Sequence, residues 1–208
     1  MNRHIAFVLG LCPNGLGVTR SLGENSVPVK GFDYKIGGPG FFSKYAVTGL
    51  CPNPYGEPDR LCEFLVHQGK QLEDKGVFFP TSDEFVIFLS RYRNDLLPYF
   101  HIALPKVEII ESLLNKRWQY DMARRHGIAI PQTLYPENVQ GIAEIVHAAE
   151  YPVIVKPCHT YMWKEKGFGV KGYRADNKNA LEKILGFVLE KQVEVIVQSI
   201  IPGAATCF

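Results

Sequence analysis

Residues 151–203 read YPVIVKPCHTYMWKEKGFGVKGYRADNKNALEKILGFVLEKQVEVIVQSIIPG. The pattern divides into a strand (152–157), a loop (158–168), a strand (169–175), a helix (177–190) and a strand (193–201). The first strand is β-branched and apolar until it presents Lys156. An ammonium at the end of a buried strand needs a partner, because burying it unpaired is very costly, and a phosphate is a natural one. Lys164, Lys166 and Lys171 surround Gly167-Phe168-Gly169, so positive charge and permissive backbone coincide. Glycine lets backbone N–H groups approach an anion closely, and lysine adds point charge. The last strand is apolar up to Gln198, then runs through Ser199, Ile200 and Ile201 into a Pro202-Gly203 turn. Such a strand end offers backbone groups to a flat heteroaromatic ring. The chemistry alone describes a nucleotide site under a basic, mobile lid.

Strands alternate with helices in the first half of the chain, which indicates a parallel α/β sheet. The run 5–10 (IAFVLG) reads as a buried first strand, followed by Cys12-Pro-Asn-Gly-Leu-Gly and a short helix to about Gly23. The spacing Gly15-x-Gly17 is a partial dinucleotide fingerprint without the third glycine in place; the competing reading is a tight strand-to-helix turn. Residues 27–34 form a second strand that Pro28 and Gly31 make irregular or edge-like. Gly37–Gly40 is a loop. The Ser43-Lys44-Tyr45 cluster that follows suits a substrate carboxylate, and ordinary polar exposure on a strand or turn explains it more simply.

Pro58 opens a helix whose apolar stripe is Leu61, Phe64, Leu65 and Leu72. Residues 77–80 form a short strand. Thr81-Ser-Asp-Glu84 is a capping box for a helix that buries Phe85, Phe88, Leu89, Tyr92 and Leu96. Residues 99–104 form one more strand, and Pro105 breaks it. Helical character then runs over 107–126 with a break near Asn115-Lys116, and Gly127 closes it as a C-terminal cap. Arg124, Arg125 and His126 oppose the dipole of its last turn. Val139, Ile142, Ile145, Val146 and Ala149 define one face of a further amphipathic helix.

The 208 residues fit one large or two modest domains with an ordinary apolar content. A net charge of +2 with interspersed signs gives no electrostatic case for nucleic acid or a membrane surface. No apolar run is long enough to span a bilayer, and the N-terminus makes a poor signal peptide. Five scattered cysteines form no CxxC pair and no zinc spacing, so reduced thiols in a cytoplasmic protein are the simplest account.

The order of Lys156 in PVIVKP, a glycine-bearing loop and a strand ending VQSIIPG resembles the first subdomain of the ATP-grasp superfamily. The unit NKRWQYDMARRHGIAIPQT looks like that superfamily's entry helix and turn. FFPTSDEFVIFLSRYRNDL resembles the last strand–helix unit of the domain that precedes it. The nearest similarity is to carboxylate–amine ligases of the D-aspartate ligase type.

The resemblance implies a Rossmann-like, parallel-sheet α/β domain over 1–104 on the acceptor-substrate side. An α+β first ATP-grasp subdomain would follow over 105–208. It implies ATP as cosubstrate, an acyl-phosphate route, and a small-molecule carboxylate joined to an amine or thiol. It assigns Lys116 and Lys156 to the phosphates and the loop of Lys164, Lys166, Gly167 and Gly169 to closure over them. Gln198 and Ser199 would accept from the adenine amino group and the Ile201 backbone would donate to the ring. Ile154 and Ile200 would pack on the ring, and Ser43, Lys44 and Tyr45 would face the substrate.

The chain departs from the pattern in a lid made bulky by Tyr161, Met162, Trp163 and Phe168, and in having no acid after the turn at 202–205 for a ribose. The second lobe, with its magnesium ligands, has no counterpart before Phe208. The expectation is therefore the N-terminal part of a longer ligase, inactive alone, with its oligomeric state open. A non-catalytic nucleotide-binding module and a nicotinamide oxidoreductase are the alternatives.

Overall fold

Strand β1 (Ala6–Leu9) is buried along its whole length, and its alternation explains the first half of the molecule. The computed structural model describes residues 4–203, apart from the side chains of Gln140, Tyr161, Lys164 and Glu165. Successive residues of a strand point to opposite faces. Phe7 and Leu9 therefore enter one core with Phe32, Phe78, Phe100, Leu61, Leu65 and Phe85, while Ala6 and Val8 enter another with Val18, Val29 and Leu22. A strand sandwiched on both faces reads as a continuous apolar run, which is why AFVL carries no polar residue.

Around β1 lie helix α1 (Pro13–Glu24), β2 (Val29–Asp33), β3 (Ala46–Leu50), α2 (Pro58–Lys70), β4 (Gly76–Pro80), α3 (Asp83–Arg91), the short α4 (Arg93–Leu96) and β5 (Phe100–His101). The five strands are parallel in the order β3-β2-β1-β4-β5. Two sequence expectations change here. Strand β2 is interior, with Pro28 lying before the paired residues and Gly31 making room for Leu11, whose side chain would lie 2.8 Å from an added Cβ. The edge on that side belongs instead to β3, where the sequence suggested only a strand or turn around Ser43-Lys44-Tyr45.

The carboxyl ends of β1, β2 and β4 are tied together. The Leu11 N–H donates to Asp33 Oδ2 at 2.7 Å. Thr81 Oγ1 donates to the Gly10 carbonyl at 2.7 Å, with the Leu9 carbonyl at 3.2 Å. Thr81 therefore does not cap α3 as the capping-box reading expected. Ser82 occupies the N-cap position without a side-chain cap bond, and Glu84 is buried. Burial, reinforced by Glu84 and Asp33, pushes Tyr34 up to about 12.

The chain divides into two compact units between Ile110 and Glu111, inside helix α5 (Val107–Leu114). The sequence expectation put the boundary after Leu104. The second unit contains α6 (Lys116–Arg125), β6 (Thr133–Leu134), α7 (Ile142–Ala148), β7 (Val153–Pro157), α8 (Thr160–Glu165), β8 (Tyr173–Ala175), α9 (Lys178–Glu190) and β9 (Val195–Ser199). Its sheet is antiparallel in the order β6-β9-β7-β8. Val153, Val155, Val195, Val197 and Ala175 share a core with Ile142 and Val146 of α7 and Leu181, Leu185 and Val188 of α9. Asn177 caps α9 by accepting from the Ala180 N–H at 3.0 Å. Val139 lies outside the predicted apolar face: it sits in a 3-10 turn before α7 and is 53% exposed.

Helix α6 ends in a Schellman motif. The Ile128 N–H donates to the Ala123 carbonyl and the Gly127 N–H to the Arg124 carbonyl, with Gly127 at φ 68°. Gly127 thus closes the helix as its sequence position indicates.

Candidate nucleotide site

Lys156 lies on β7 between the buried Val155 and Pro157, facing away from the helix-covered core. Ile154, two residues earlier, shares its face. The register sets Ile154 opposite Gln198 and Lys156 opposite Ile196 on β9. Lys156 Nζ donates to Gln198 Oε1 at 3.3 Å. Gln198 is 4% exposed, and its amide has further partners: Tyr120 Oη donates to Oε1 at 3.2 Å, and Nε2 donates to Thr133 Oγ1 at 3.0 Å. Among the described residues Lys156 is paired with no carboxylate. Its charge meets only a neutral oxygen.

Lys116 reaches the same end of β7 from another element. Asn115 starts α6 by accepting from the Arg117 N–H at 2.9 Å and the Trp118 N–H at 3.3 Å. The Lys116 N–H donates to the Cys158 carbonyl at 3.0 Å, which joins the helix start to the chain leaving β7. Lys116 Nζ donates to Thr160 Oγ1 at 3.0 Å. Asn115 Nδ2 lies 3.2 Å from His159 Nε2, so a donating amide makes Nε2 the acceptor and assigns the imidazole proton to Nδ1. Burial pulls the His159 pKa below its usual 6.5; Glu194 acts the other way and Lys116 reinforces the shift. Burial pushes the neighbouring Cys158 thiol up to about 11.

The predicted loop at 158–168 is largely helix α8. Two of the bulky side chains of this segment, Trp163 and Phe168, are core groups, and the Tyr161 side chain lies outside the described residues. Trp163 is 2% exposed, stacks on Phe168 with ring centroids 4.0 Å apart, and donates its indole N–H to the Val170 carbonyl. Tyr173 and Phe187 complete the aromatic cluster, and the Lys191 ammonium lies 5.6 Å from the Phe168 ring centre. Gly172 brings the chain back against β7, where an added Cβ would sit 2.8 Å from the Val155 carbonyl. What projects is narrower than the predicted lid: Lys166, Gly167, Gly169 and Lys171 are exposed, with Gly167 at φ 79°. The Lys164 side chain lies outside the described residues.

At the other end of the predicted site, Ser199 is already engaged: its N–H donates to the Gln132 carbonyl at 2.9 Å and its hydroxyl to Gln132 Oε1 at 3.4 Å. The Ile200 N–H donates to the Pro152 carbonyl at 2.9 Å. Ile201 is the first residue past the sheet, 67% exposed, and its N–H makes no hydrogen bond among the described residues. The strand itself ends at Ser199, shorter than the sequence suggests, because pairing with β7 stops there.

Ser43, Lys44 and Tyr45 belong to the first unit, at the amino end of β3. The Ser43 hydroxyl accepts from the Tyr45 N–H at 3.3 Å, Lys44 lies over the Tyr45 ring at 5.0 Å, and Tyr45 packs against Gly23 of α1. Ligands of open α/β sheets bind outside the carboxyl ends of the strands, and these residues lie at the opposite end. Of the glycines of the partial fingerprint, Gly15 is absorbed by packing inside α1 against the Gly10 carbonyl, and Gly17 is exposed on the helix.

A separate concavity of about 550 Å3 lies by Arg117, Glu137, Cys158, Leu189 and Glu194, and none of the predicted site residues lines it. Among the described residues no group of three or more His, Cys, Asp or Glu is placed to hold a metal ion, and no helix is long and apolar enough to cross a membrane.

No protein-family model matches the chain. It is 24% identical over 210 aligned residues to the D-aspartate ligase of Enterococcus faecium, covering 96% of this chain and 50% of the ligase. The L-amino acid ligase from Bacillus licheniformis superposes with a TM-score of 0.66 at 14% identity, over 97% of this chain and 45% of that one. The N5-carboxyaminoimidazole synthetase from Staphylococcus aureus, solved with ADP, superposes with a TM-score of 0.68 at 15% identity, over 96% of this chain and 48% of that one. The chain thus spans about half the length of the proteins it matches. Its fold, a parallel five-stranded sheet followed by an antiparallel one, is that of the matching halves of these ligase and synthetase structures.

Proposed function

We propose that the protein is an ATP-dependent ligase joining a small-molecule carboxylate to an amine or thiol, and that the Lys156 face of the second unit receives the nucleotide. The carrying observation is the state of Lys156: a half-buried ammonium on the strand face away from the helix-covered core, bound to an amide oxygen and, among the described residues, to no acid. A phosphate would supply the missing counter-charge, and a charge-assisted bond of this kind is roughly twice as strong as a neutral one. The similarity to D-aspartate ligase supports the reaction class.

In this reading Lys156 and Lys116 neutralise the phosphates from two elements, and the exposed tip at Lys166–Lys171 closes over them. Ile154 and Ile200 pack on the adenine ring. The free Ile201 N–H donates to that ring. The Gln198 side chain serves Lys156 instead of the adenine amino group, because its amide is already committed. Electrostatic neutralisation and alignment are what phosphoryl transfer requires. A substrate carboxylate oxygen bonds to the γ-phosphorus as ADP leaves, and the amine or thiol then bonds to the acyl carbon as phosphate leaves. Magnesium would arrive with the nucleotide and supply further neutralisation, its protein ligands lying outside the described residues.

The test is a thermal shift with Mg-ATP, run on this chain and on the full open reading frame. Ligand at about one hundred times its Kd stabilises by about 2.7 kcal/mol, which moves the Tm by several degrees. Lys156→Ala should remove the rise. An equal rise in the variant, or none in the full-length wild type, would overturn the reading. ATP-dependent phosphate release with paired acids and amines then tests the ligase step.

A further inference from the structure

Gln198 is the buried centre of a chain of hydrogen bonds whose directions are fixed by one carbonyl. The Thr133 hydroxyl lies 2.9 Å from the Pro131 carbonyl, which can only accept. Thr133 must therefore donate there, and its oxygen is left to accept from Gln198 at 3.0 Å. That contact selects the nitrogen end of the Gln198 amide. The oxygen end is consequently turned toward Lys156 and Tyr120, at 3.3 and 3.2 Å. The reverse orientation would set an NH2 group against an ammonium and leave the Thr133 oxygen without its donor.

We propose that Thr133 and Tyr120 are positioning residues for the anion site: they lock the Gln198 amide so that Lys156 is held by a neutral acceptor and keeps its charge for a phosphate. The inference rests on the nucleotide reading above and adds to it a reason for glutamine at position 198. A carboxylate there would hold the ammonium equally well and cancel the charge. Register alone does not achieve the lock. Thr133 is directly opposite Gln198 across β6 and β9, Ile154 is opposite it across β9 and β7, and Tyr120 comes from α6. Three elements converge on one amide.

Two measurements test it. The first needs no nucleotide: the Gln198 side-chain NH2 signals, identified by their loss in Gln198→Glu, are followed by 15N NMR. Thr133→Val, which keeps the shape and removes the hydroxyl, should move these signals toward the position of a solvent-exposed glutamine. Thr133→Ser should restore them. The second is a Mg-ADP titration of the full-length protein. Thr133→Val and Tyr120→Phe should each weaken binding roughly fivefold, the effect of one neutral hydrogen bond. Thr133→Ser should bind as wild type, and Gln198→Glu should lose on the order of tenfold or more. Unmoved NH2 signals in Thr133→Val, or unchanged affinity in both Thr133→Val and Gln198→Glu, overturns the positioning role while leaving the nucleotide reading intact. Absence of Mg-ADP binding by wild type overturns the nucleotide reading and this inference with it.

Discussion

Trp163 and Phe168 stack with their ring centres 4.0 Å apart and their planes 17° from parallel, and both are buried. The segment that resembles a phosphate-closing lid is therefore bolted to the core of its own unit at two points. Among the described residues of the segment, Lys166, Gly167, Gly169, Val170 and Lys171 are exposed. Trp163→Ala should cost about 3–5 kcal/mol of stability, as large aromatic truncations in a core do. Urea unfolding monitored by circular dichroism reads this directly. A cost under about 1 kcal/mol would mean that the segment is not part of the core.

Gly15 and Gly17 are two residues apart on α1 and should respond oppositely to alanine. A Cβ on Gly15 would lie 1.9 Å from the Gly10 carbonyl oxygen, so backbone must move. Gly15→Ala should destabilise by roughly 2 kcal/mol or more, the upper range for overpacking. At Gly17 nothing lies within 4 Å of the added atom. Gly17→Ala should stabilise by about 0.5–1 kcal/mol through helix propensity. If both variants behave alike, Gly15 has no special role at the turn.

His159 predicts a specific acid sensitivity. Its folded pKa lies below the usual 6.5, chiefly through burial. The folded protein therefore holds this proton less tightly than the unfolded chain. The stability contribution is complete above about pH 6.5 and is lost as the pH falls from there through the folded pKa. His159→Gln should flatten this part of the stability–pH curve. Urea midpoints between pH 8 and 5.5 measure it. A gap between wild type and variant that stays constant with pH would exclude His159 as the source.

Cys158 and Cys51 should be chemically silent in the folded protein. Burial pushes the first to about 11 and the second to about 12, so neither forms thiolate at pH 8. Iodoacetamide labelling followed by peptide mapping should mark the partly exposed Cys12 in the native state, and Cys158 and Cys51 only in denaturant. Rapid native labelling of Cys158 would mean that the start of α6 opens away from the end of β7.

Lys116 shows how far the sequence reaches and where it stops. Its place after a helix break is legible, because Asn115 is a preferred N-cap residue and Gly127 closes the same helix. That its ammonium meets Thr160, and its backbone meets Cys158, depends on residues more than forty positions away. The β-branched run before Lys156 marks a strand, and the two-residue period sets Ile154 beside Lys156. Both are local facts. The opposite failure is Thr81: its local signal is a capping box, yet the Gly10 carbonyl just past β1, seventy-one residues away, competes for the same hydroxyl and wins.

By itself the sequence determined the alternation of elements, the position of Lys156 on its strand, the helix break near Asn115-Lys116, the cap at Gly127, and the resemblance that names the fold. Each of these rests on periodicity or on neighbours within a few residues. The tertiary structure decided that Trp163 and Phe168 of the presumed lid are core, that Ser43, Lys44 and Tyr45 sit at the amino end of an edge strand, and that Gln198 turns its oxygen to Lys156. The last of these follows from which side chains converge across strands β6, β9 and β7 and from α6. Hydrogen-bond direction there is set by the Pro131 carbonyl, far from Gln198 in sequence, and a pattern read along the chain carries no information about such a partner.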